Sequence, residues 1–164
     1  MNVRPATADD VEGIRRVAQA SWNDDYPTIL SRETVDDAVD EWYDPERMRE
    51  ELQRSVTVSF VADADGDVVG FSHALWNRED GVVFRLYVHP DHRHRGIGTE
   101  LLDRTCDELF DRDVDAVRAM VLAENELGNA FYRHYGFEKE SEDETTIAGT
   151  SYPENVYVLE AFPE

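Results

Sequence analysis

The chain has 164 residues, the size of one domain, and carries 37 Asp plus Glu against 16 Lys plus Arg, a formal charge of -21. Such a charge excludes nucleic acid or an anionic membrane as the main partner, because both would be repelled. A single cysteine, Cys106, excludes an internal disulfide and points to a reducing, cytoplasmic setting, and no apolar run approaches the ~20 residues that span a bilayer.

The opening "NVRP" reads as a short strand. Thr7 and Asp10 form a capping-box pattern ahead of Val11, Ile14, Val17 and Ala18 at helical spacing. Trp22 and Tyr26 lie near the end of that helix, and Pro27 stops it. Val35, Val39 and Trp42 mark one face of a second helix, and Asp44-Pro45 is an N-cap and first-turn pair opening a third, through Leu52. At Thr57 the pattern changes to β-rich runs, "TVSFVA" and "VVGFSHALW", separated by an Asp-Gly hairpin signal. A further turn at "REDG" leads into "VVFRLYV", completing a three-stranded antiparallel meander. Helical spacing returns from Gly96 to Arg112, with Leu101, Leu102, Thr105, Cys106, Leu109 and Phe110 inward. "AVRAMVLA" is a strand, "LGNAFYRHY" a short helix, "GFEKE" the start of a strand and "ENVYVLE" the last one. No repeat, linker or signal-peptide core interrupts residues 1–164. They predict one α+β domain around a central mixed sheet.

Against this acidity, residues 89–95 gather three of the five histidines and two arginines, followed by Gly-Ile-Gly. A strand, a loop and a helix N-terminus in that order make an anion site, because the first N–H groups of a helix lack internal partners. Glycine lets a large anion approach the backbone, and Arg93 and Arg95 add fixed charge suited to phosphate. The Rossmann fingerprint fails at Leu101, and the P-loop lacks its Gly-Lys-Ser/Thr. His89, His92 and His94 are poor metal ligands beside two arginines, so no metal is predicted. The pattern predicts a cradle for a polyanionic ligand. The acids themselves are spread along the chain. That favours a surface adapted to concentrated salt, where screening lengths fall to ~3 Å, over an acidic face for a cationic partner.

"VHPDHRHRGIGTELL" resembles the acyl-CoA signature of the GNAT superfamily of N-acyltransferases, Arg/Gln-x-x-Gly-x-Gly/Ala, filled here by Arg93, Gly96 and Gly98. "ENELGNAFYRHYGF" resembles the second family motif, Asn-x-x-Ala-x-x-Phe-Tyr, with Gly128 where Ala is usual. The resemblance implies a sheet with one splayed strand pair and an acetyl-CoA-dependent N-acetyltransferase acting on a primary amine, of a small molecule or a protein, by direct attack in a ternary complex. It implies backbone binding of a diphosphate by His94, Arg95, Gly96, Ile97, Gly98 and Thr99 beside Arg93. Leu86 and Val88 would pair with the pantetheine arm, the Val88 N–H would face the thioester oxygen, and Asn125 would touch the cofactor. Tyr132 is implied as general acid. Relatives place Glu or His where this chain has Val82 and Phe84, so the base is sought among His73, Glu79, Asp80 and Glu124, with His73 first. Trp22, Tyr26, Trp42, Trp76 and Tyr152 are candidates for the acceptor pocket. A non-catalytic acyl-CoA-binding sensor is the alternative, and a homodimer is kept open.

Overall fold

The computed structural model describes residues 1–25, 31–147 and 149–160. Seven strands form one mixed sheet: β1 (Asn2–Pro5), β2 (Thr57–Ala64), β3 (Asp67–Trp76), β4 (Asp80–Val88), β5 (Ala116–Leu122), β6 (Glu138–Ile147) and β7 (Thr150–Glu160). Their order is β1-β2-β3-β4-β5-β7-β6, and only β4 and β5 run parallel. Five helices cover it: α1 (Val11–Asp25), α2 (Arg32–Trp42), α3 (Pro45–Leu52), α4 (Ile97–Asp111) and α5 (Glu126–Tyr135). The α+β reading of the sequence holds. Tyr26 and Pro27 lie outside the described residues.

Local chemistry sets the boundaries. Asp10 accepts from the Thr7 N–H at 2.8 Å and takes both guanidinium nitrogens of Arg4 at 2.9 Å, fixing the entry to α1. Ser31 and Asp44 cap α2 and α3 through Thr34 N–H and Arg47 N–H. Asp65 and Gly66 both adopt positive φ, the left-handed pair that a two-residue hairpin between β2 and β3 requires.

Two apolar layers follow. One, containing Val58, Phe60, Leu101, Leu102, Leu109, Val117, Tyr132 and Tyr157, lies between the sheet and α4–α5. The other, containing Ile14, Val17, Trp22, Val39, Tyr43 and Phe71, lies under α1–α3. Strand β6 is the departure from sequence expectation. Its start at Glu138 is as read, but it continues through "SEDETTI" to Ile147 along β7. Strand propensity in so acidic a run is poor; the ladder to β7 is what holds it extended.

The decisive feature is in the middle of the sheet. Strands β4 and β5 pair from Asp80↔Ala116 to Val83↔Ala119 and then part, while β5 continues beside β7 as far as Leu122↔Glu154. At the same level β4 bulges: His73 pairs with Arg85 and Ala74 with Val83, leaving Phe84 as the extra residue. A bulge bends its strand and increases the local twist, which carries residues 84–88 away from β5.

Candidate active site

Between the parted strands lies a cleft with a cavity of about 320 Å³. Its first wall is the loop into α4. Gly96 is the N-cap in the left-handed region (φ 79) and has no capping side chain, so the Ile97, Gly98 and Thr99 N–H groups stay open to a ligand. His94 is also left-handed (φ 64). Alternation of this kind folds successive amides into a concave anion seat, reinforced by the dipole of a 15-residue helix. A Cβ at Gly98 would lie 3.3 Å from Phe131 and 3.7 Å from Val88, so glycine keeps the cradle open.

His92, Arg93, His94, Gly96, Ile97, Gly98 and Thr99 line the cleft; Arg95 is exposed outside it. Arg93 ties the loop down as well: its Nε donates to the Val88 carbonyl at 3.1 Å and its Nη1 meets Asp24 at 3.1 Å. His89 accepts from the Asp91 N–H at 3.2 Å, capping the turn Pro90–His92.

The second wall is the edge of β4. The His89 N–H donates to Val69 on β3 at 2.8 Å, and Gly70↔Val88 and Ser72↔Leu86 follow in register. Antiparallel strands alternate, so Leu86 and Val88 aim their N–H groups away from β3, toward the space that β5 has left. This is an open ladder edge inside the cleft, and both side chains line it. The cradle, this edge, Asn125 and Tyr132 are thus brought together.

Tyr132 enters from α5. One turn earlier, buried Asn129 donates to the Leu122, Ala123 and Asn125 carbonyls at 3.0, 3.3 and 2.7 Å, and its oxygen accepts from Asn155 at 2.8 Å and from the Tyr157 hydroxyl at 2.6 Å. This hub welds α5 to the ends of β5 and β7. Asn125 caps α5 by accepting from the Gly128 N–H at 3.0 Å. A Cβ at Gly128 would meet the Asn125 amide at 2.7 Å and Val121 at 2.9 Å, which accounts for glycine at that motif position. The Tyr132 ring stacks on Tyr157 at 6.2 Å and meets Phe137 edge-on at 5.3 Å. Burial holds its phenol well above the ordinary value, so it stays protonated through the neutral range. Among the described residues none pairs with its hydroxyl. Asn129, Asn155 and Tyr157 were not singled out from the sequence; only Asn129, three residues before Tyr132 on an amphipathic helix, left a local signal there.

Trp22, Trp42, Tyr87, Thr145, Ile147 and Glu154 also line the cleft. Trp22 meets Trp42 edge-on at 5.3 Å. Trp76 and Tyr152 do not line the cleft: the Arg112 guanidinium stacks over Trp76 at 5.5 Å, and Tyr152 packs on the α1–α3 layer. Cys106 is buried on α4 outside the cleft, its thiol pushed up to about 12 by burial and then by Asp107 and Asp103, so it is no nucleophile.

None of His73, Glu79, Asp80 and Glu124 lines the cleft. Asp80 pairs with Arg118 at 2.7 Å at the closed end of β4. His73 is 5% exposed, with Nε2 3.6 Å from Glu51. Burial, then the charge of Arg85, lowers its pKa to about 4, so it is neutral at pH 7. The unfolded chain accepts this proton near 6.5, the folded chain only near 4. Stability from His73 is therefore complete above about pH 6.5 and declines toward pH 4, by roughly 2–3 kcal/mol. His73→Gln removes that decline: urea unfolding at pH 7 and 4.5 shows the variant losing less stability than the wild type over this interval. Parallel losses would place the acid sensitivity elsewhere.

With this geometry, a match of the acetyltransferase (GNAT) family over residues 16–137 has a structural meaning. The chain belongs to that family. It is an N-acetyltransferase with acetyl-CoA as co-substrate. Among similar proteins, spermidine N(1)-acetyltransferase of Thermoplasma acidophilum is 29% identical over 147 residues, covering 87% of this chain and 91% of that one. A crystal structure of PaiA N-acetyltransferase from Thermoplasma acidophilum in complex with coenzyme A superposes with a TM-score of 0.87 at 25% identity, covering 98% of each chain. The ribosomal-protein-S18-alanine N-acetyltransferase of Escherichia coli shares the fold, with a TM-score of 0.74 at 18% identity over 97% of this chain and 92% of that one.

Proposed function

We propose that the protein transfers an acetyl group from acetyl-CoA to a primary amine of a small cationic acceptor, by direct attack while both substrates are bound. The observation that carries this reading is the cleft itself, where an anion cradle, an open strand edge and a protonated phenol line one cavity. The residues present fit the co-substrate: a cradle that a Cβ at Gly98 would narrow suits its diphosphate, and the Leu86 and Val88 amides suit its amide-bearing arm. Bound there, acetyl-CoA supplies an activated acyl carbon and a thiolate leaving group.

The chain does the rest. The Val88 N–H serves as donor to oxygen charge developing at the thioester, a contribution on the order of 10²–10³ in rate for a well-placed donor. Tyr132 donates its proton to the departing sulfur as the C–S bond breaks, and the proton that the newly acylated nitrogen sheds, carried by water, restores the phenol. A free thiol has a pKa of about 8.5 and a free phenol about 10, and burial raises the Tyr132 phenol further, so it holds its proton until the sulfur departs as a thiolate. An amine near 10.4 must enter neutral to attack, and desolvation against the apolar cleft wall around Leu86 and Phe131 favours that form. The named relative makes polyamines the first acceptor class to assay. The single cysteine of this chain, buried and in no disulfide, suits the reducing cytoplasm, and acids spread over the chain suit concentrated salt.

The test is thiol release from acetyl-CoA with a panel of amines, at rising pH and rising potassium chloride. Acceptor-dependent release that grows with pH through the neutral range and persists in strong salt is expected. Acetyl-CoA binding without acceptor-dependent release would return the chain to the sensor reading; a collapse in salt would argue for the acidic surface as a docking face.

A further inference from the structure

The cleft is electrically two-ended. At the α4 end it carries Arg93 and the helix N-terminus; at the β6–β7 end Glu154 is the one acidic side chain among the described residues that line it. Glu154 pairs across β5 with Leu122, which belongs to the α1–α3 layer, whereas Tyr132 belongs to the α4–α5 layer. The two therefore reach the cavity from opposite faces of the sheet. Glu154 faces the same side of the sheet as Trp22 and Trp42, which line the same cleft and whose rings add the negative π-faces that attract organic cations.

Glu154 is also electrostatically unsatisfied. Its cross-strand neighbour on β6 is Asp143, a second carboxylate. Among the described residues neither forms an ion pair. Burial first, and Asp143 second, hold the Glu154 carboxyl above its ordinary range. A positive group placed beside it would relieve both causes.

We propose that Glu154, backed by Trp22 and Trp42, seats a second ammonium group of the acceptor, and so selects linear polyamines over monoamines. The proposal rests on the transferase reading and deepens it. The reacting amine must be neutral to attack, so the charge recognised at Glu154 belongs to another nitrogen of the same molecule. Glu154 is then a positioning residue that acts on affinity, with Tyr132 left to the leaving sulfur.

The test uses the full chain saturated with coenzyme A, titrated with spermidine in a calorimeter. In E154Q the Kd for spermidine rises about tenfold or more, as expected for loss of a charged partner, while the Kd for coenzyme A is unchanged and reports an intact fold. In turnover, KM for spermidine rises more than kcat falls, and the preference for spermidine over butylamine narrows. Equal spermidine binding by both proteins, or none by the wild type, overturns the proposal. So does an equal fall of kcat on both amines with KM unchanged, which would make Glu154 a proton acceptor. If the wild type binds spermidine through Glu154 but transfers no acetyl group, the transferase reading fails and the cation seat stands.

Discussion

Replacing Tyr132 by Phe lowers kcat by about 10²–10⁴, the range typical of a positioned general acid, and leaves the Kd for acetyl-CoA within about twofold. The substitution removes one oxygen. The ring keeps its stack on Tyr157 and its edge contacts with Phe131 and Phe137, and no described residue depends on the hydroxyl for a hydrogen bond. Melting temperature should therefore hardly move. The same burial that keeps the phenol protonated makes the loss severe, since water has poor access to a ring that is 6% exposed and cannot readily replace the donor. Single-turnover thiol release separates chemistry from binding. A loss of acetyl-CoA affinity matching the loss of turnover would make Tyr132 a packing residue.

The parts of this site legible in the sequence are those built from adjacent residues. Strand, loop, Gly-Ile-Gly and helix occupy one short run, so the anion cradle can be read from local spacing alone, and Asn125 with Tyr132 fall on a single helical segment. What depends on register was hidden. Glu154 reaches the cleft because β7 lies beside β5, and β5 reaches Leu122 only after β4 has turned away; no local pattern encodes that lateral arrangement. Asn129 looked like one polar residue on a helix, yet it joins β5, α5 and β7 through five hydrogen bonds. His73 shows the opposite case. A histidine in a strand invites a catalytic reading, but it is buried toward Glu51 of α3 and does not line the cleft.

Gly98→Val is expected to raise the Kd for acetyl-CoA about 100-fold or more. The added side chain would start 3.3 Å from Phe131 and carry two further methyl groups into the space above the first turn of α4. Losing two charge-assisted hydrogen bonds, at about 1.5 kcal/mol or more each, accounts for that factor. Helix propensity is slightly higher for valine than for glycine, so α4 itself should persist, with its packing on the sheet through Leu101, Leu102 and Leu109. Calorimetric titration reads the affinity, and far-ultraviolet circular dichroism through melting reads the fold. The variant separates two uses of the cleft. The proposed cation seat at Glu154 is on β7, whereas the cradle is at the start of α4, so spermidine binding should survive where acetyl-CoA binding does not. An unchanged acetyl-CoA affinity would mean that the diphosphate lies away from the helix N-terminus, and the basic loop would need another ligand.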